Sequence, residues 1–219
     1  MLKINKIKII FKKIWLLKFN YSSDKSISLV KYLTGNSNIS TKGRIFYDKT
    51  KISEYNPYYW NKKLAAHNDW VWEKNINPIY LLLRCKTKAI SWWESLFIDS
   101  KKILKFIPNS YLKLKYVYSL FDDVEESLIV EHPLYWYLCL NYTLYEVNSN
   151  WNSKYIKFLW VTEKENKNIN SFLFKLLEEN TFYIDLKENE SILFDNYRYL
   201  HWRNSFTWYR ELDRRLVYL

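Results

Sequence analysis

Between residues 126 and 161 the chain never stays apolar for long: short hydrophobic runs alternate with Pro133, Asn148, Asn150 and Asn152. Turn-forming residues at that spacing suit several antiparallel strands, and they fit neither a helix bundle nor a parallel α/β sheet. Farther on, 181–186 and 192–201 read as strands around the polar turn 187–190, and 214–219 as a last strand. The expected fold class is therefore mainly β, an antiparallel sandwich or jelly roll with a few flanking helices. At 219 residues one domain suffices; a domain of this size buries about 70% of the surface its unfolded chain exposes.

The candidate chemistry begins at His67-Asn68-Asp69. On a strand, residues two apart share a face, so the imidazole and the carboxylate point the same way. His201 is the candidate for a third ligand, since it ends the apolar stretches 192–194 and 197–200 and is followed by Arg210, Arg214 and Arg215. Two His and one carboxylate on one side of a cation leave the opposite positions open, which suits non-haem Fe(II) oxygenases.

Composition excludes several other functions. The net charge is +11, but the Lys excess accompanies Asn, Ile and Tyr, all residues with AT-rich codons. A compositional excess spreads over a surface, whereas a nucleic-acid site needs a clustered stripe, so no nucleic-acid partner is expected. Cys85 and Cys139 are isolated and suggest neither a zinc knuckle nor a disulfide framework, leaving buried thiols. The apolar stretch 7–19 is broken by Lys8, Lys12, Lys13 and Lys18, which rules out a membrane span or a secretory segment there. No membrane partner and a cytoplasmic location are expected, and a homo-oligomer is left open.

Residues 2–19 read equally as an amphipathic helix or an edge strand. The polar stretch 22–48, with Gly35 and Gly43, reads as short strands and loops. Residues 64–69 form the expected metal strand, 79–85 a buried strand, and 91–99 a turn and strand. Asp99 and Ser100 offer an N-cap to a helix that Pro108 ends. Further helices are expected over 111–118 and over 170–179, where Phe172, Leu173, Leu176 and Leu177 share a face.

Taken together, His67-Asn68-Asp69, Tyr80-Leu81-Leu82-Leu83-Arg84-Cys85, Glu94-Ser95-Leu96-Phe97-Ile98-Asp99 and Phe194-Asp195-Asn196-Tyr197-Arg198-Tyr199-Leu200-His201 resemble the taurine dioxygenase and γ-butyrobetaine hydroxylase family. The resemblance covers 57–219. It implies a double-stranded β-helix core over those residues, inside a single domain 1–219 whose residues 1–50 form an N-terminal extension with strands. It also implies an Fe(II)- and 2-oxoglutarate-dependent dioxygenase that hydroxylates a small-molecule substrate and releases succinate and CO₂. The alternative is an inactive jelly-roll binding protein of the same fold.

Carried over residue by residue, the resemblance makes His67, Asp69 and His201 the iron ligands. Ser95 stands where the family usually has a Thr whose hydroxyl contacts 2-oxoglutarate. The Arg that grips the distal carboxylate is Arg214 or Arg215, which point to opposite faces of a strand; the butyrobetaine-type branch favours Arg214. Tyr59 matches a Tyr facing a quaternary ammonium in that branch, a cation–π arrangement. Trp92, Trp93, Trp202 and Trp208 fall where the family has Gly. With 2 Gly and 11 Trp in the chain, several tryptophans are expected to be glycine in the native protein.

Overall fold

The computed structural model describes residues 2–35, 38–40, 44–46, 64–69, 78–88, 94–118, 124–142, 156–204 and 210–218. The first elements are α1 (Leu2–Ile14), β1 (Leu16–Asn20), α2 (Ser23–Thr34), β2 (Arg44–Phe46), β3 (Leu64–His67), β4 (Tyr80–Thr87) and β5 (Ser95–Asp99). A single turn of helix, α3 (Ser100–Ile103), leads to β6 (Lys115–Tyr118), β7 (Val124–Ser127), β8 (Ile129–Glu131), β9 (Leu138–Leu140) and β10 (Ile156–Phe158). The chain then forms α4 (Glu163–Glu179), β11 (Phe182–Ile184), β12 (Glu190–Asp195), β13 (Tyr199–Arg203) and β14 (Glu211–Val217).

Two antiparallel sheets carry the architecture, one in the order β1-β12-β4-β14-β2 and one in the order β11-β5-β13-β3. Their facing sides are set by the period of two along each strand. From β4, Leu81, Leu83 and Cys85 point inward to meet Phe97 of β5, Phe194 of β12 and Tyr199 of β13. The alternate residues Tyr80 and Leu82 point outward, where Phe11 of α1 and Leu29, Val30 and Leu33 of α2 cover them. On β13 the outward side chains Leu200 and Trp202 pack against Ile169, Leu173 and Leu177 of α4. His201, between them, faces the interior. Fully burying one such Leu contributes about 1.5–3 kcal/mol. The double-stranded β-helix arrangement is thus a sandwich with helices on both outer faces.

Several local expectations change. Residues 2–19 hold both alternatives in succession, α1 and then β1. The stretch 22–48 contains a helix rather than only strands and loops, because Ser26, Leu29, Val30 and Leu33 fall at helical spacing and are buried. Gly35 ends that helix with φ +71°. The expected helix over 111–118 is a 3₁₀ turn at Asn109–Tyr111 followed by β6, whose Lys-Tyr-Val-Tyr sequence pairs with β7 and β10. Helix α4 starts before 170, since Thr162 and Glu165 form a capping box that nucleates two polar turns with no apolar signal. The expected strand 192–201 is two strands: Asp195 Oδ1 accepts from Tyr197 N at 2.9 Å and Arg198 N at 3.0 Å, a turn that carries the chain from one sheet to the other. The last strand begins at Glu211 rather than 214. Cys85 and Cys139 are buried free thiols, and no described helix is long and apolar enough to cross a membrane.

Candidate metal centre

His201 and His67 lie opposite each other in the β13–β3 pairing, which sets their rings 4.4 Å apart between centroids. Asp69 is not on the strand: β3 ends at His67, and Asp69 sits in the following turn. The expected two-residue alternation along 64–69 is therefore not what brings the carboxylate to the imidazoles. Asp69 Oδ1 nevertheless lies 3.4 Å from His67 Nε2 and 3.7 Å from His201 Nε2, and the three ligand atoms are all within 4.8 Å of one another.

What holds Asp69 is Asn196, which is 2% exposed. Its Oδ1 accepts from the Asp69 backbone N at 3.0 Å, and its Nδ2 donates to the carbonyls of Asp69 and Pro78, each at 3.1 Å. Asn68 Nδ2 returns a bond to the Asn196 carbonyl at 2.5 Å. Asn196 belongs to the turn between β12 and β13. That turn is fixed by Asp195, which also meets His132 Nε2 at 3.0 Å and the Tyr137 hydroxyl at 2.8 Å, and by the two-point pair of Arg198 with Asp99 at 2.9 and 2.7 Å.

The electrostatics suit a cation. Burial alone would raise the Asp69 pKa, but Arg214, His67 and His201 overcome it and hold the carboxyl well below the usual carboxylate range. Arg214 Nη1 donates to Asp69 Oδ2 at 2.8 Å. Burial and the neighbouring His67 push the His201 pKa down to about 3, so its imidazole is neutral near pH 7 and able to ligate. Among the described residues, buried Asp69 Oδ1 has no well-formed hydrogen bond, its nearest donor-capable atom being His67 Nε2 at 3.4 Å. An acceptor-only oxygen beside two imidazole nitrogens is a donor set that a divalent metal satisfies.

A second cluster lies along the same strands. Arg210 Nη2 donates to Ser95 Oγ at 3.3 Å, and both residues are buried. Ser95 pairs with Arg203, two ladder positions from the Phe97–His201 pair. Burial and mutual repulsion lower Arg203 to about 9, and burial lowers Arg210 to about 10. Two buried guanidiniums beside a hydroxyl form a cationic cluster whose charge suits an anion. Beside Asp69 is a small, partly open depression, with room for little more than a water molecule, lined by Asn68, Val130, Leu140, Asn141, Asn196 and Tyr197.

Of the residues singled out in the sequence, His67, Asp69, His201 and Arg214 are brought together, and Ser95 lies in the cationic cluster with Arg210. Arg215 takes the opposite face of β14, that of Val217. Tyr59, Trp92, Trp93 and Trp208 lie outside the described residues. Trp202 is in β13 and buried in the core against α4. Sequence reasoning missed Asn196, Arg203 and Arg210. Their signals were weak: Asn196 is one of many asparagines, and Arg210 differs from Arg214 and Arg215 only in what it touches.

The sequence profile of the taurine catabolism dioxygenase TauD, TfdA family matches residues 27–218. No curated protein matches the chain by sequence. Among solved structures, AAD-2 in complex with Mn(II) and N-oxalylglycine is 13% identical over 98% of this chain and 86% of that one, with a TM-score of 0.71. A taurine dioxygenase from Burkholderia xenovorans is 13% identical over 99% and 81%, with a TM-score of 0.67. The PvcB protein of Pseudomonas aeruginosa is 12% identical over 98% and 79%, with a TM-score of 0.68. At these identities the structural likeness establishes the fold.

Proposed function

We propose a chemistry for a chain that belongs to the taurine catabolism dioxygenase TauD, TfdA family and is thereby a 2-oxoglutarate-dependent non-haem iron dioxygenase: hydroxylation of a small molecule at a centre held by His67, Asp69 and His201. The carrying observation is the buried Asp69 Oδ1, which stands 3.4 Å and 3.7 Å from two imidazole nitrogens and has no well-formed hydrogen bond among the described residues. Fe(II) bound there would supply, with O₂ and 2-oxoglutarate, the oxidation that converts C–H to C–OH while 2-oxoglutarate becomes succinate and CO₂. A protein of the same fold holding Mn(II) and N-oxalylglycine supports this reading.

The chain's own residues bind and orient. Arg214 keeps Asp69 ionised in a buried corner, so the carboxylate is available without losing a proton. Phe97 and Phe194, with ring centroids 6.5 and 5.1 Å from that of His201, exclude water from the imidazole's inner side. Arg210 and Ser95, assisted by the charge of Arg203, take the distal carboxylate of 2-oxoglutarate. The planar fork of Arg can meet both carboxylate oxygens. Sequence resemblance gives that role to Arg214, but Arg214 is engaged by Asp69, whereas Arg210 touches the hydroxyl expected at the same carboxylate.

Anaerobic addition of Fe(II) and then 2-oxoglutarate is expected to give a weak visible charge-transfer band, lost in Asp69→Ala. Its absence from the unaltered protein supports the inactive binding protein instead. Arg210→Ala should weaken 2-oxoglutarate binding by about 1.5–3 kcal/mol, roughly ten- to 150-fold. An equal loss found only in Arg214→Ala returns the role to that residue. Succinate release against small amines, amino acids and sulfonates then identifies the substrate.

A further inference from the structure

We propose that Asn196 is the positioning residue for the Asp69 carboxylate, an inference that rests on the metal site proposed above. Asp69 lies beyond the end of β3, so no strand ladder orients its backbone. The Asn196 side chain supplies what a neighbouring strand would: an acceptor for Asp69 N and a donor to Asp69 O. The same amide nitrogen reaches Pro78 O, and Asn196 N donates to Ile79 O at 2.8 Å, tying the turn to the entrance of β4. Because Nδ2 meets two carbonyls and Oδ1 meets an N–H, the amide has one consistent orientation. Among the described residues the Asn196 side chain bonds the backbone of Asp69 and none of the candidate ligand atoms, so it acts on the carboxylate through the Asp69 backbone.

The test is Mn(II) affinity, followed by electron paramagnetic resonance well below the unfolding temperature. Asn196→Ala is expected to bind Mn(II) ten- to 100-fold more weakly, about the effect of losing a partner that orients a ligand. Asn196→Asp, which keeps the shape and one acceptor but loses both donors, should also weaken binding and serves if the Ala variant does not fold. Asn170→Ala is the control: Asn170 is equally buried and bonded to Tyr142 and Asn166, but lies on α4 and makes none of the bonds that hold Asp69, and its loss should leave Mn(II) affinity unchanged. Unchanged affinity in both Asn196 variants overturns the proposal, as does an equal loss in Asn170→Ala. If the unaltered protein binds no Mn(II), the metal site itself fails.

Independently, the backbone assigns glycine to positions 15, 136 and 160 of the native protein, where the sequence is written with tryptophan. Four described residues other than glycine have positive φ: Trp15 at 59°, Trp136 at 59°, Trp160 at 58° and Asn189 at 68°. Asparagine tolerates that region, but a bulky side chain there is an outlier, and glycine is the usual occupant. Trp15 follows α1 and donates its N–H to Phe11 O at 2.5 Å; Gly35 follows α2 with φ +71° and donates to Lys31 O at 2.9 Å. The two positions do the same work in ending a helix. Trp136 closes the turn from His132, its N–H 3.0 Å from His132 O. Its side chain is 75% exposed and that of Trp160 is 82% exposed, so little packing offsets the strained backbone. The 2 glycines and 11 tryptophans agree: average usage predicts about 15 Gly in a chain of this length. A UGA codon that the native host decodes as glycine, written under a code in which it means tryptophan, accounts for both the count and the geometry.

Trp202 has no such backbone requirement, since it lies in β13, so its identity is a separate question. The coding sequence and the peptide masses of the protein from its native source decide the matter. UGA codons at 15, 136 and 160 with glycine masses are expected. A UGG codon or a tryptophan mass at any of the three overturns the assignment. In recombinant protein made as written, Trp136→Gly and Trp160→Gly should each raise the thermal midpoint; a fall in both shows that the backbone tolerates tryptophan and also overturns it.

Discussion

His201 and Asp69 reach the same point by different means. His201 sits within a five-position ladder between β13 and β5, flanked by Leu200 and Trp202 in the packed core, so its place is shared among many backbone bonds. Asp69 sits in a turn, where its backbone is held by one asparagine and its carboxylate by one arginine. A ligand on a ladder should survive most single substitutions near it, whereas a ligand on a turn depends on one or two side chains. The centre thus joins a rigid half to a half that individual residues can undo.

Four changes test that contrast. The largest effect is expected for Arg214→Met, which leaves the Asp69 carboxylate buried without its partner. The metal-free protein should lose about 3–5 kcal/mol in urea unfolding, and saturating Mn(II) should recover more of that loss than it adds to the unaltered protein. Leu193→Ala in the centre of the larger sheet should cost about 2–5 kcal/mol through the cavity it leaves, with Mn(II) affinity at low temperature unchanged. A change in that affinity would mean the sheet does not isolate the ligands as described.

Acid should act through His201. Its folded pKa is lowered from 6.5 to about 3, so between those values the unfolded chain takes up a proton that the folded one refuses. Stability of the metal-free protein is intact above pH 6.5 and falls as pH drops toward 3, by at most about 1.4 kcal/mol per pH unit from this group. His201→Asn should flatten that part of the urea-midpoint profile. The smallest effect belongs to Thr162→Ala, which removes the capping box of α4 and should cost about 1 kcal/mol, with no effect on the centre.

Many of the strands and the candidate ligands His67, Asp69 and His201 could be picked out in the sequence, because alternation, apolar run length and turn chemistry depend on residues close together along the chain. The burial of Ile79 to Cys85 follows from a continuous apolar run of strand length bounded by Pro78. Helix α2 was missed because its apolar stripe lies in a stretch of mostly polar residues, and the start of α4 because its first turns are marked by a cap rather than by burial.

Local pattern along the chain yields a β-sandwich, two histidines and an aspartate of matching chemistry, and a basic C-terminal strand. That Asp69 leaves the strand, that Asn196 holds it across a separation of 127 residues, and that Arg214 meets Asp69 while Arg210 meets Ser95 emerge from the packing of distant segments. The physical reason is distance: local pattern fixes which face a side chain takes, but which partner it meets depends on how two sheets register against each other, and no neighbouring residue encodes that.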